Sequence, residues 1–373
     1  MVKKVGKQQI AIVQILRGVA AVFVMFFHYK NELVTDTALR NALDTVFNGG
    51  YVGVDLFFVI SGFIMVYITQ KNEGGRQEAI RFLRKRLIRI VPLYCISTIA
   101  YLYLIWQPAM QPDLLKNFAR SMLFQPFNAT HSPFYGYASL PVGWTLNYEF
   151  YFYLLVAVSL LFGRIKWLMF FALFLLLQFA LPQGFGVEPF SARYNSRRLL
   201  PVFYLLSDPM MWNFLFGIGI GFIFVNKPIK ERLLRVFGNG LVLLIILVVF
   251  IWKYLTGHKI GHGPLEAGWI LALLFLALLL WSSRLSWASR TWITYLGDIS
   301  FSLYLWHLPV QLLVQKVLYR FEWGHLITHG SILVVNVVLT IVVSHFSYRY
   351  IERYTMKWPE IALLKKHKAR IPQ

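Results

Sequence analysis

Long apolar stretches alternate with short polar ones along this chain, and the apolar stretches have the length of membrane spans. Ten such runs lie near 9–29, 50–69, 88–106, 145–163, 166–181, 209–225, 240–256, 266–282, 292–318 and 331–350. Each is long enough, at 1.5 Å per helical residue, to cross or nearly cross a hydrocarbon layer. The pattern predicts an all-α polytopic membrane protein with about ten transmembrane helices. Residues 1–353 form one membrane domain and residues 354–373 a basic tail. No segment between runs exceeds about 40 residues, too short for a separate soluble domain.

Composition agrees. Of 373 residues, 58% are apolar and 14% charged, with a mean hydropathy of +0.57; a soluble chain carries about 25% charged residues. The net charge of +21 would suit nucleic acid, but its distribution points to topology. The larger share of the 37 Lys and Arg residues falls in alternate connections and in the C-terminal tail. The positive-inside rule then places both termini in the cytoplasm, with the tail at anionic lipid. Lys3, Lys4 and Lys7 before an apolar stretch look like a signal peptide, but Arg17 interrupts that stretch, so a retained first helix is expected. The one cysteine, Cys95, excludes an intramolecular disulfide. The outer connections 107–144 and 182–208 are long, aromatic and rich in proline, which suits a sugar-binding surface and equally an interfacial aromatic belt, with Arg193, Arg197 and Arg198 adding positive charge.

Ionisable groups are costly inside a bilayer, so their depth carries information. His28 lies near the outer end of the first run. Asp55 of "GYVGVDLFFVISGF" and Glu149 of "GWTLNYEFYFY" lie about one turn below the outer surface, and His307 of "LGDISFSLYLWHLPV" lies in the outer half of its run. Four helices thus place four titratable groups at a similar level. Arg17 lies deeper, eleven residues before His28. Eleven steps of 100° close three turns with about 20° left over, so the two share a helix face about 16 Å apart. Near the inner surface stand Arg84, Lys85, Arg86 and Arg89 of "RFLRKRLIRIVPLY". The glycines of "GIGIGF" at 217–222 read as close helix packing. The histidines form no convincing metal-ligand cluster, and no metal is expected. Asp298, His345 and Glu352 read as surface or packing groups.

Arg17 and His28 as R-x10-H, "GYVGVDLFFVISGFIM", "FLRKRLIRIVPLY", "GWTLNYEFYFY" and "LGDISFSLYLWHLPV" occur in order. Together they resemble the acyltransferase-3 family of bacterial integral membrane proteins, most closely its exopolysaccharide O-acetyltransferase (ExoZ-type) branch, over about residues 10–353. The resemblance implies an enzyme of the bacterial inner membrane. It would move an acyl group, usually acetyl, from cytoplasmic acetyl-CoA to a hydroxyl of a cell-surface or exported glycan or lipid-linked sugar. It also implies that Arg17 and His28 are essential, with His28 catalytic, and that Lys85, Arg86 and Arg89 contact the CoA. Lys85 stands where arginine is common, losing the bidentate fork. Asn213 of "WNFLFG" stands where glutamate is expected. Chemically, a neutral imidazole suits removal of the hydroxyl proton. His28 is therefore the expected general base, with Asp55 or Glu149 as its orienting carboxylate and His307, at a similar level, a further candidate catalytic residue; an acyl-histidine intermediate is the variant route. A proton-coupled transporter or a non-catalytic component of polysaccharide export would also want intramembrane His, Asp and Glu. No internal repeat of the transporter kind is present.

Overall fold

The computed structural model describes residues 2–30, 37–106, 111–128, 131–185, 200–282, 292–323 and 329–357. Among the described residues there is no strand, and sixteen α-helices follow one another. They are α1 (Val2–Tyr29), α2 (Thr37–Phe47), α3 (Gly53–Thr69), α4 (Arg76–Ile105), α5 (Gln111–Met122), α6 (Trp144–Leu160), α7 (Lys166–Leu175), α8 (Leu181–Gly184), α9 (Pro201–Ser207), α10 (Met211–Val225), α11 (Lys227–Phe237), α12 (Gly240–Thr256), α13 (Trp269–Trp281), α14 (Trp292–Asp298), α15 (Ser300–Arg320) and α16 (His329–Ser347).

Every apolar run of the sequence is helical. By length and composition, however, six described helical segments are able to cross a membrane, or eight if the bent pairs α9–α10 and α11–α12 each count as one. The two expected runs outside that count are α6 and α15. Both are rich in Tyr, Trp and polar side chains, and both bury them: Asn147 and Tyr148 on α6, Ser302, Tyr304 and His307 on α15. A helix shielded by its neighbours needs no lipid-like surface, so its hydropathy falls.

At the centre runs α3, apolar all round and buried along most of its length. Its packing against α10 depends on glycine. A Cβ at Gly217 would land on the Val59 carbonyl oxygen, and one at Gly62 on the Phe214 carbonyl oxygen. The two backbones therefore approach more closely than any side chain allows. The "GIGIGF" reading holds for Gly217 and for Gly221, which faces Val66, while Gly219 meets nothing. Gly217→Ala should lower stability by about 1–3 kcal/mol, the usual cost of overpacking, whereas Gly219→Ala should not. Thermal unfolding of the detergent-solubilised protein checks this, and equal midpoints for the two variants would contradict the packing.

The ends of these helices set up the site. The Lys166 ammonium donates to the Thr69 carbonyl (3.0 Å) and to that of Asn72, tying the end of α3 to the turn that follows it. Asn239 caps α12 through Leu241 N–H (2.9 Å), and α12 stops at Gly257, in the left-handed region at φ +69°, where glycine is unstrained. Lys253 then ties down the following turn by donating to the carbonyls of His258 (3.0 Å) and Lys259 (2.7 Å). That turn carries His262.

Candidate active site

Two cavities meet inside the bundle. The first, the arginine cavity, holds about 750 Å³ of space free of protein atoms and is lined by Arg17, Arg86, Arg89, Ser61, Glu149 and Tyr153 among others. The second, the histidine cavity, holds about 1300 Å³, part of it open to the outside, and its walls include His28, His262, Tyr51, Phe134, Tyr137 and Trp144. Val54 and Tyr304 line both. The Tyr304 ring is fixed there by its hydroxyl, which donates to the Val142 carbonyl (3.0 Å) and bonds Thr145 Oγ1 (2.8 Å).

As expected, Arg17 and His28 share one face of α1, and each opens into one of these cavities. The cluster on α4 divides. Arg86 and Arg89, three residues apart, share a face and line the arginine cavity, while Arg84 and Lys85 are exposed on other faces. Lys85 is thus not brought to the site. Arg86 lies over the rings of Tyr153 (5.4 Å) and Phe82 (5.6 Å), which fixes its planar guanidinium. Arg17 bonds Gln14 Oε1 (3.1 Å). Glu352, buried and accepting from Ser302 Oγ (3.1 Å), lies in the fields of Arg89 and Arg17. The sequence reading had set Glu352 aside.

The four titratable groups expected at one level do not form one cluster. Glu149 belongs to the arginine cavity, where Tyr153 OH and Ser61 Oγ donate to its carboxylate. His28 and His307 do meet: the His28 Nδ1 lies 2.9 Å from the Val24 carbonyl and 3.2 Å from His307 Nε2. A carbonyl only accepts, so Nδ1 carries the proton and shares it between these two partners. The lone pair of His28 is then on Nε2. His307 lies behind, fully buried, with its own carbonyl held by Tyr29 OH (2.8 Å).

Neither expected carboxylate orients His28. Asp55, with no exposed surface, accepts at Oδ1 from Asn213 Nδ2 (2.7 Å) and Gly263 N–H (2.8 Å), and at Oδ2 from His262 Nδ1 (2.7 Å). Helical depth fixes a residue's height but not the side to which it points, and Asp55 points toward α10 and the turn after α12. Asn213 has a role that an ionised glutamate cannot perform, because it donates to Asp55. His262 was missed in the sequence because "GHKIGHGP" reads as a polar turn. The available signal was Asp55 itself, a buried carboxylate that requires donors.

The aromatic connection 107–144 folds partly into the histidine cavity. Asp208 anchors it, accepting from Ser132 Oγ, from Tyr135 OH (2.8 Å) and from Met210 N–H (2.8 Å). Phe134 packs on Trp144 and stacks on Tyr137, with ring centres 5.0 and 4.7 Å apart. Arg193, Arg197 and Arg198 lie outside the described residues, as does most of the basic tail. Among the described residues no group of three or more His, Cys, Asp or Glu has the spacing to hold a metal ion.

The chain is similar to O-acetyltransferase OatA of Staphylococcus aureus, 23% identical over 95% of this chain and 59% of that protein. It is also similar to peptidoglycan O-acetyltransferase OatA of Listeria monocytogenes, 26% identical over 82% of this chain and 51% of that protein. The exopolysaccharide production protein ExoZ of Rhizobium meliloti is 37% identical over 32% of this chain and 37% of its own length. The chain thus spans about half the length of the OatA relatives it matches. No solved structure matches it. The acyltransferase domain family matches residues 10–347, a stretch that contains every cavity-lining residue named above, and the chain therefore belongs to that family.

Proposed function

We propose that this protein is an O-acetyltransferase of the bacterial inner membrane. It takes the acetyl group from cytoplasmic acetyl-CoA and gives it to a hydroxyl of a cell-surface or exported glycan, polymeric or lipid-linked. The observation that carries the reading is the pair of adjoining cavities that share Val54 and Tyr304 as lining residues, with arginines in one and imidazoles among aromatic rings in the other. Diphosphate and phosphate groups suit Arg86, Arg89 and Arg17; a sugar suits hydrogen-bonding groups flanked by aromatic faces. In this arrangement α6 and α15 span the membrane with the eight apolar segments, making ten, and both termini are cytoplasmic by the distribution of cations.

His28 is the general base. Its Nε2 takes the acceptor hydroxyl's proton as the oxygen attacks the thioester carbonyl carbon. The carbon–sulfur bond then breaks, and His28 returns the proton to the leaving sulfur, so the reaction is proton-neutral overall. Val24 O and His307 hold the ring in the tautomer that this requires.

Deleting the gene and assaying ester-linked acetate on each purified surface glycan tests the reading. Esters should disappear from one glycan and return with the wild-type gene. A full set of esters in the deletion strain would overturn it.

A further inference from the structure

The histidine cavity contains a second oriented imidazole that the reaction just described does not use. His262 sits on a turn pinned at three points: two lysine-held carbonyls before it and Gly263 N–H on Asp55 after it. Gly263 has φ +116°, which a side chain rarely adopts. The chain thus uses glycine, a capping lysine and a buried carboxylate to fix one ring. That ring is enclosed by Tyr51, Trp144 and Phe134, with centres 5.0, 5.6 and 6.2 Å away. Its side chain is 13% exposed.

The polarity of the ring is also determined. Asp55 already accepts two hydrogen bonds at Oδ1 and takes the Nδ1 proton of His262 at Oδ2. Neutral His262 therefore has its lone pair on Nε2, on the edge of the ring away from Asp55. Such an edge recognises a donor, as a hydroxyl is. Among the described residues lining this cavity there is no Lys or Arg to match a carboxylate.

We propose that His262, oriented by Asp55, binds the acceptor: its Nε2 accepts a hydrogen bond from a sugar hydroxyl other than the reacting one, and the sugar lies against Trp144 and Phe134 with its reacting hydroxyl toward His28. His262 is then a binding residue and Asp55 a positioning residue. This inference rests on the glycan-transferase reading above.

The test uses the full-length protein in detergent, labelled acetyl-CoA, and as acceptor the host's own surface polysaccharide stripped of esters with mild alkali. His262→Phe keeps an aromatic ring and removes the acceptor atom. It should raise the acceptor KM about tenfold, as loss of one hydrogen bond does, with kcat and the acetyl-CoA KM within about threefold, a split that the loss of a binding contact produces. His262→Gln, which retains an oxygen acceptor, should recover most of the loss. Asp55→Asn would present an amide N–H to Nδ1 and move the ring proton to Nε2, so it should raise the acceptor KM as His262→Phe does. His258→Gln, on the exposed side of the same turn, should change nothing. An unchanged acceptor KM in His262→Phe, or a fall in kcat alone, overturns the assignment while leaving the transferase reading intact. A wild-type protein that labels no glycan overturns both.

Discussion

Replacing His28 with alanine should lower turnover by about 10²–10⁴-fold, the usual contribution of a general base, and leave both substrate KM values close to those of the wild type. The ring lies at the wall of a cavity, so its removal takes away little packing. The helix keeps its other contacts, including Gln311 Nε2 on the His28 carbonyl (3.3 Å). Circular dichroism and size exclusion should therefore be unchanged. His307→Ala should act through the same ring: Val24 O still holds the Nδ1 proton, so its loss should be smaller than that of His28→Ala. Purified His28→Ala protein with more than about a third of wild-type turnover would remove His28 from the reaction. An equal loss in the two variants would make the His28–His307 pair, rather than His28 alone, the functional unit.

The second large effect is one of sidedness. In oriented proteoliposomes with acceptor only in the compartment facing the histidine cavity, acetyl-CoA supplied only on the other side should yield acetylated product, against none from empty vesicles. Arg17→Ala should slow this transfer with orientation preserved, because Arg17 lies within a span and the cations of the connections set the topology. Arg86→Ala with Arg89→Ala should weaken acetyl-CoA binding by about 1.5–3 kcal/mol per lost charge-assisted bond. Lys85→Ala, on the exposed face of the same helix, should not; that contrast separates a donor site from a general orientation signal. Product that forms only when donor and acceptor share a compartment would contradict transfer through the protein.

The ten helical runs were legible in the sequence because long apolar stretches fold as helices. Among the ten, α6 and α15 fall outside the count of helices apolar and long enough to cross a membrane, because their polar side chains point inward; that hydropathy does not settle whether they span. It also gives no account of α2, α5 and α11, which are helices too short to span. The separation of Arg17 from His28 was legible because both lie on one helix, where angle and rise are fixed. Partnership between helices was not. Asp55 and Glu149 were equal candidates for His28, and each instead meets groups that approach from another direction. His262 escaped notice because a turn outside the apolar runs incurs no desolvation cost, so nothing in the hydropathy pattern marks it. Glu352 escaped for a related reason: at the end of the α16 segment it reads as a surface carboxylate, and only the folded chain shows it buried near two arginines.

The wall that the two cavities share at Val54 and Tyr304 bears on a problem that soluble acyltransferases do not face. A membrane that stores energy as a proton gradient is short-circuited by any continuous column of water through it. In the proposed two-sided transfer, Tyr304, clamped by Val142 and Thr145, would be a seal as well as a wall. An acyl arm passing this point in that reaction would occupy the gap that it opens, so the substrate would act as its own stopper. Chemistry would thereby be confined to a moment when the passage is plugged, and the electrical insulation of the membrane would set an upper limit on how wide such a passage can be.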